Sequence, residues 1–318
     1  MPLAEPRQRI FDSYADASQV LKDIDLSAKT IVVTGTTAGI GLETARSLAL
    51  HGAHVVMLNR NLIESGKLCK TILGEAPHAK IDVIECDLNL LKSVKKAAEE
   101  YIEKGWPIHC LILNAGVFGP ASPKTKDGLE SHFGINHLAH YLLIRELLPV
   151  LRRTPPARIV ILSSLANIRT AIDHSLPVDD KLRLLCPEDT SEANWYRFYA
   201  RSKMCNTLTA FKLHRDEHKN GISTYSVHPG ALIWTSISRD SWLATIASIL
   251  IYPFTKSISQ GAATTLYCAT NPEIANVSGK HWDSCWDDET KLDKVLSRDE
   301  QLQDALWNQS QKLLEKLL

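Results

Sequence analysis

A doubly wound, Rossmann-type α/β fold with a parallel sheet is what this sequence predicts, on two observations. Short apolar runs without alternation recur along the chain: TIVVT at 30–34, HVVML at 54–58, IHCLIL at 108–113 and RIVIL at 158–162. Runs of this kind suit strands buried on both faces. Stretches with helical spacing lie between them. Repeated strand–helix units in one chain build a parallel sheet covered on both sides.

Each element follows in order. Residues 1–28 are a polar lead-in with a few apolar side chains (Ile10, Phe11, Tyr14, Val20, Leu21, Ile24), expected to pack along the domain edge. The first strand is Thr30–Thr34. Ile40–His51 has helical spacing (Ile40, Thr44, Leu48) and stops at Gly52. His54–Leu58 is the second strand, Leu62–Leu73 a helix, and Ile81–Glu85 the third strand. Leu90–Lys104 is a helix closed by Gly105, and Ile108–Leu113 the fourth strand. Asp127–Leu151 reads as one long helical region and Arg158–Leu162 as the fifth strand. A polar, Pro-containing insertion occupies about 167–194. A helix over 195–218 and a sixth strand, Ser223–Val227, follow it. A C-terminal helix at about 299–317 (Leu302, Leu306, Leu313, Leu317) docks onto the rest. No repeat, low-complexity tract or linker interrupts residues 29–318, so one domain behind the 1–28 lead-in is expected.

Composition narrows the function. The chain has 318 residues, 44% hydrophobic and 23% charged, which is ordinary for a globular protein with a sizeable core. Its 36 basic residues balance 36 acidic ones, and no Lys/Arg block stands out. Nucleic acid is therefore not the expected partner, because phosphate binding needs a basic surplus. The seven cysteines are odd in number, without the close spacing of a metal knuckle. They read as reduced thiols, and the expected location is cytoplasmic. The lead-in has no continuous apolar run, and no stretch reaches the ~20 apolar residues of a spanning helix.

Two motifs carry chemistry. After the first strand comes Thr34-Gly-Thr-Thr-Ala-Gly-Ile-Gly41. Glycines between a strand and a helix allow a tight turn (Gly35), close backbone approach to a pyrophosphate (Gly39) and helix–strand packing (Gly41). The helix N-terminus then offers free N–H groups to phosphates. Ile40 and Leu42 stand where a P-loop would need Lys-Ser or Lys-Thr, which argues against a triphosphate site. The second motif is Tyr199-Ala-Arg-Ser-Lys203. Residues four apart share a helix face. A nearby ammonium favours the phenolate and lowers the Tyr pKa from its usual ~10. Such a phenol can exchange a proton with an alcohol or carbonyl. Alone, the pair also fits a solvated helix face.

The turn T-G-x-x-x-G-x-G resembles that of the short-chain dehydrogenase/reductase family, and four further motifs follow in that family's order. They are Asn114-Ala115-Gly116 after the fourth strand, Ser163-Ser164 ending the fifth, Tyr199-x-x-x-Lys203, and His228-Pro229-Gly230 ending the sixth. Together they cover about residues 30–235. The opening RQRIFDSYADA, the stretch GIGLETARSLALHGAHVV, and PFTKS with QGAATTLYCA are most similar to the family's WW-linked oxidoreductase branch, and retinol-dehydrogenase-like enzymes share much of this. The lead-in holds no Trp, so no WW module is expected within it.

The resemblance implies a nicotinamide cofactor held by Gly35, Thr37, Gly39, Ile40, Gly41, Asp87, Leu88, Asn114, Ala115, Gly116, Tyr199, Lys203, Pro229, Gly230 and Thr235. It implies catalysis by Asn136, Ser164, Tyr199 and Lys203. Ser164 is chosen over Ser163 because the family's catalytic Ser is the second of the pair. Asn136 matches the Asn that kinks the long helix and orders a water beside the Lys. Asp87 matches an adenine-contacting acid, and could equally cap the helix at 90–104. His137 and His140 lack the acid or Cys that would complete a metal site, so packing roles and no metal are expected.

Cofactor preference is read at the end of the second strand. An NAD enzyme usually carries an acid there for the ribose 2′-hydroxyl. Here the residues are Leu58-Asn59-Arg60-Asn61. Arg60 can pair with a 2′-phosphate, and a cation in the first helical turn otherwise opposes the helix dipole. NADP(H) is therefore favoured, with NAD(H) the alternative. One departure stands out: five residues beyond Pro229, where the family has a carboxamide-binding Thr, this chain has Trp234, with Thr235 next.

The leading expectation is an NADP(H)-dependent oxidoreductase interconverting an alcohol and a carbonyl. The alternatives are a non-catalytic NADP(H)-binding module or an interaction scaffold on the same fold. An apolar lid is expected at about 236–258. Its core, Trp242–Phe254 (WLATIASILIYPF), carries no charge and is too short to span a bilayer even as a helix. It suits a lipophilic substrate such as a retinoid, steroid or fatty aldehyde, with peripheral contact to an intracellular membrane. A core or dimer-interface helix is the plainer alternative. Family members often pair through the helices after the fourth and fifth strands, so a homodimer is a further expectation. The insertion is expected over the substrate cleft.

Overall fold

Strand formation follows the apolar runs. In the computed structural model, which describes residues 9–188, 190, 194–230, 256–287 and 289–318, the runs become β1 (Thr30–Thr34), β2 (His54–Asn59), β3 (Lys80–Glu85), β4 (Cys110–Leu113), β5 (Ala157–Leu162) and β6 (Ile222–His228). A further strand, β7 (Lys280–Asp283), pairs with β6. Among the described residues these seven strands form one sheet in the order β3-β2-β1-β4-β5-β6-β7, every pair parallel. Chain order reverses between β1 and β4. That switch point is where open α/β sheets bind ligands, beyond the carboxyl ends of the strands.

Successive side chains point to opposite faces of a strand, and the sheet therefore divides two cores. Val32, Val56, Leu111 and Ile159 belong to one, with α4 (Leu91–Glu103), α5 (Ala139–Arg152), α7 (Trp195–Glu217), α9 (Lys294–Ser297) and α10 (Glu300–Leu317). Ile31, Val55, Ile112 and Val160 belong to the other, with α1 (Ala17–Leu21), α2 (Gly39–Leu50), α3 (Leu62–Glu75) and α8 (Ile258–Thr270). Each such buried side chain contributes about 1.5–3 kcal/mol. All seven cysteines are free thiols, and burial pushes Cys86 and Cys110 up to about 12.

Four expectations are corrected. The region 127–151 is not one helix. Gly128, at φ +82°, turns the chain, and Thr125 and Leu129 bond across that turn. The helix starts only at Ser131 and passes at once into a π-helical turn over Phe133–Leu138, before α5 begins. The described part of the insertion does not line the cleft. It contains a 3₁₀ turn, Leu165–Arg169, and α6 (Val178–Leu185). α6 packs on α7 and α10, with buried Leu185 in their core and Lys181 paired to Asp299, rather than over the cleft. β7 was not expected, because Lys280-His-Trp-Asp283 offers no apolar run. Its His281 is buried through a bond to Ser226 Oγ (2.9 Å). Asp87 does not cap α4: Leu91 N–H donates instead to Asp127 Oδ2 (2.8 Å).

The lead-in does pack along an edge. α1 lies on α8, Ala17 N–H reaches Ser259 Oγ (3.2 Å), and Phe11 meets Tyr267 edge-on. The lid core, and all of the expected lid but its last three residues, lie outside the described residues.

Candidate active site

A cleft of about 570 Å³ opens at the switch point. It is lined by Gly35, Thr37, Gly39, Ile40 and Gly41 from the glycine turn, and by Arg60, Asp87 and Leu88 from the ends of β2 and β3. Asn114, Ala115, Gly116, Tyr199, Lys203 and Pro229 also stand on its wall, whereas the expected Gly230, at φ +115° and packed against Lys256, does not. Thr235 and Trp234 lie outside the described residues.

The glycine turn is shaped by two constraints. Gly35 sits at φ +69°, and a Cβ there would stand 2.7 Å from Ala115 Cβ. A Cβ on Gly41 would collide with Gly35 O and Asn114 Nδ2. α2 begins just beyond, at Gly39, and its N-cap Ala38 supplies no side-chain cap. The first N–H groups of α2 therefore face the cleft without an internal side-chain partner. Asn114 lines the cleft but its amide is committed to the fold, donating to Thr34 O (2.9 Å) and Gly35 O (3.0 Å). Its role is to hold the turn against β4.

At the β2 end, Asn59 is 3% exposed and turned inward. Its Oδ1 accepts Thr36 N–H (2.8 Å), and its Nδ2 donates to Thr36 Oγ1 (2.7 Å) and Ser65 Oγ (2.9 Å). No carboxylate stands there for a ribose hydroxyl. Arg60 is exposed on the cleft wall. It precedes the N-cap Asn61 of α3, so the dipole argument drawn from a first-turn position does not apply. Asp87 Oδ1 accepts Asn89 N–H (3.1 Å), and Oδ2 pairs with exposed Lys126 (2.7 Å).

The catalytic candidates converge at the other end. Ser163 is buried, and its hydroxyl donates to Lys203 O (2.9 Å) while accepting from Thr207 Oγ1 (2.9 Å). Ser164 ends the strand, and its Oγ accepts Ala166 N–H (3.2 Å) and bonds Tyr199. Lys203 Nζ donates to Leu162 O (3.1 Å) and lies 5.7 Å from the Tyr199 ring centroid. Burial pushes its amine down to about 8. Burial also raises Tyr199, against a lowering by Ser164. The expected lowering by Lys203 is thus not met in the protein alone: burial of the phenol dominates, and the amine is directed at a carbonyl.

Asn136 lies in the π-helical turn. Its Oδ1 accepts Val117 N–H (2.7 Å), and its Nδ2 donates to Val117 O (3.1 Å) and Ser202 Oγ (3.0 Å). Its backbone carbonyl faces His140 Nδ1 (3.1 Å). Thr34 Oγ1 accepts Asn114 N–H and Ala115 N–H, so its own proton is left for His140 Nε2 (3.0 Å). This fixes the Nδ1–H tautomer and makes Asn136 O the acceptor. Burial pushes His140 down to about 3, which suits a neutral ring. His137 bonds Ser310 Oγ (3.1 Å). Sequence reasoning missed Phe118 and Trp195, whose rings stand 4.7 Å apart, with Phe118 4.8 Å from the Tyr199 ring. Trp195 shares a helix face with Tyr199 at i, i+4, and that spacing could have pointed to it. Nothing in the sequence distinguishes Phe118.

The family model for short chain dehydrogenase matches residues 29–175. The WW domain-containing oxidoreductase of Gallus gallus is 39% identical over 318 residues, covering 100% of this chain and 75% of that protein. The chain belongs to the short-chain dehydrogenase family. Retinol dehydrogenase 12 of Mus musculus is 34% identical over 92% of this chain and 88% of its own length. An uncharacterized protein from Mycobacterium Paratuberculosis has a solved structure that covers 95% of this chain and 97% of its own, with 25% identity and a TM-score of 0.66.

A short-chain dehydrogenase is an oxidoreductase that binds a nicotinamide cofactor, and this cleft fits one. The uncapped start of α2 suits a pyrophosphate. At the far end, a Cβ on Gly116 would stand 3.2 Å from Asn136 Oδ1 and 3.3 Å from Lys203 Nζ, so even a methyl on the cleft floor would displace one of them by a few tenths of an ångström. Gly35, Gly39 and Gly41 would carry the phosphates, and Tyr199 and Lys203 the nicotinamide ribose.

Proposed function

We propose that this protein is an NADP(H)-dependent oxidoreductase interconverting an alcohol and a carbonyl on a lipophilic substrate. The observation that carries the reading is the meeting of Tyr199 and Lys203 on the wall of a single cleft, with Ser164 bonded to Tyr199. The nicotinamide, when bound, supplies or accepts the hydride. Ser164, whose Oγ accepts Ala166 N–H and bonds Tyr199, holds the substrate oxygen. Tyr199 donates the proton in carbonyl reduction and accepts it in alcohol oxidation. Lys203 sets the field at Tyr199. With the positive charge of the oxidised ring added, that field favours the phenolate. Asn136 fixes the Val117 backbone beside the reacting centre and keeps the π-helical turn in register.

Preference for NADP(H) rests on two features. Asn59 turns inward where an NAD enzyme would present an acid, and Arg60 stands on the cleft wall, where it can pair with a 2′-phosphate. The lipophilic substrate rests on the sequence of 242–254 and on the aromatic side chains beside Tyr199. Among the described residues no helix is long and apolar enough to cross a membrane. Membrane contact through 242–254, which is too short to span a bilayer even as a helix, would be peripheral. A homodimer formed through α5 and α7 would have to displace α10, which packs on α7 and bonds Tyr141 and His137 of the α5 region.

The test is NADPH fluorescence on mixing with the protein, followed by NADPH consumption with a panel of short-chain and long-chain carbonyls. Binding with turnover that favours the long-chain members supports the reading. Binding without turnover of any carbonyl overturns it in favour of a non-catalytic module.

A further inference from the structure

A buried pair beside the site takes no part in the reading above. Glu130 and His132 are 3% and 1% exposed. Glu130 Oε1 accepts both the backbone N–H (3.0 Å) and the Nδ1–H (2.7 Å) of His132, and Oε2 accepts Phe133 N–H (2.7 Å). Glu130 therefore does two things at once. It caps the start of the π-helical turn and fixes the His132 tautomer with its proton on Nδ1. Nε2 is left as an acceptor, and Gly119 N–H points at it from 3.4 Å.

That contact closes a clamp. Val117 is already bonded on both sides of its peptide unit to Asn136. Gly119 is held by His132, at φ +64°, a conformation natural to glycine. Phe118 stands between the two fixed points. Its ring lines the cleft and meets Tyr199 edge-on at 4.8 Å and 88°. The His132 ring also stacks on Trp195 (6.2 Å, 10°), which is 45% exposed, and Trp195 in turn meets Phe118 (4.7 Å, 82°). Phe118 and Trp195 thus make an apolar wall beside the ring of Tyr199, with His132 behind it.

We propose that His132, held by Glu130, is a positioning residue for the substrate: it fixes Val117–Gly119, and with it the Phe118–Trp195 wall that receives the substrate's apolar body. The inference rests on the reading of Tyr199 as the proton donor. It concerns placement of the substrate and leaves cofactor binding alone.

The pair of substitutions His132→Asn and His132→Gln separates the two bonds of the ring. Asn keeps a donor toward Glu130 and has nothing at the Nε2 place, whereas Gln puts an amide oxygen there for Gly119 N–H. NADPH consumption is followed with 2-naphthaldehyde and with butanone, and NADPH affinity by fluorescence. Loss of one neutral hydrogen bond predicts a KM for 2-naphthaldehyde raised about three- to ten-fold in His132→Asn. The NADPH Kd, the kcat and the KM for butanone should stay within about two-fold. His132→Gln should recover most of the lost affinity. A general structural defect would instead lower kcat and NADPH affinity together. A wild-type KM in His132→Asn, or no recovery in His132→Gln, overturns the proposal while Tyr199→Phe still tests the reading beneath it. Absence of wild-type turnover with either carbonyl defeats both. Should the variants fail to fold, amide exchange of Gly119 in the wild-type protein decides. Protection is expected, and exchange at the rate of a free loop amide overturns the clamp.

Discussion

Replacing Lys203 by Met should abolish turnover and stabilise the protein at neutral pH. Lys203 is 4% exposed, and burial lowers its amine from 10.5 to about 8 in the folded chain. At ~1.36 kcal/mol per pH unit, the difference opposes folding of the charged form by roughly 3 kcal/mol. A folded pKa below the unfolded one means that the unfolded chain binds more protons between the two values, so stability rises with pH there. The penalty is fully present below about pH 8 and fades as pH climbs toward 10.5. Met removes the penalty and keeps the volume. It also removes one donor to Leu162 O, costing about 1 kcal/mol. That carbonyl keeps its bond from Asn206 Nδ2 (2.9 Å), so it is not left unpaired. The net expectation is a gain of about 2 kcal/mol at pH 7. The assay is urea unfolding of the cofactor-free protein at intervals from pH 6 to pH 10.5, for wild type and Lys203→Met. A variant no more stable than wild type at pH 7, or an advantage that fails to shrink toward pH 10.5, refutes the account of Lys203 as a charge held at the expense of stability.

Tyr199→Phe should cost at least ~10²-fold in turnover with NADPH binding nearly intact; wild-type rates would remove Tyr199 from the mechanism. Arg60→Ala should weaken NADPH by about ten-fold or more and NADH little, since a charge-assisted contact is worth about 1.5–3 kcal/mol; equal losses in a titration of both cofactors would show that Arg60 does not read the 2′-phosphate. Gly116→Ala puts a methyl 3.2 Å from Asn136 Oδ1 and 3.3 Å from Lys203 Nζ. The required shift of a few tenths of an ångström should cost roughly ten-fold in kcat, less than the ~10² of a full ångström, and unchanged kcat would place the reacting groups elsewhere. Replacing Ile246 and Ile249 together by Ser should raise KM for long-chain carbonyls and spare a small ketone; unfolding, or equal loss of both substrates, would make 242–254 part of the core.

Much of the fold was legible because parallel strands buried on both faces need unbroken apolar runs, and β1, β2, β4 and β5 have them. β7 was not, since two of its four residues are polar groups buried through side-chain partners: His281 by the distant Ser226, and Asp283 by Lys291 and the adjacent Ser284. The start of the long helix was misread because Glu130 acts there as a cap through its side chain, and a π-helical turn has the composition of an α-helix. At the site, the spacing motifs located the glycine turn, the Asn114–Gly116 turn and the Tyr199/Lys203 pair. Spacing could not tell which of those residues face a ligand and which hold the fold. Asn114 and Asn59 illustrate the second case, each with its amide committed to backbone or hydroxyl partners inside the protein.

Strand geometry bears on the choice between Ser163 and Ser164 independently of family pattern. Side chains alternate at the end of β5 as they do along it. Leu162 belongs to the core on the α2 and α8 side, so Ser163 points to the opposite face, where α7 lies. There its hydroxyl is committed to Lys203 O and Thr207 Oγ1, one turn apart on that helix, although the residue borders the cleft. The next residue must turn back, and the strand has ended, so no neighbouring helix covers it in the same way. Ser164 is half-buried, its Oγ oriented by Ala166 N–H and in bonding reach of Tyr199. The same contact of Ser163 with Lys203 O ties the backbone of α7 to the strand end at the level of the pair. A change at Ser163 should therefore act on the placement of Tyr199 and Lys203, and a change at Ser164 on the chemistry itself. Ser163→Ala and Ser164→Ala, compared by kcat and by NADPH affinity, distinguish the two. The first should cost stability, with partial activity retained. The second should cost at least ~10²-fold in kcat, the size expected for a donor to developing charge, with NADPH binding unchanged. The reverse order of effects would exchange the two assignments.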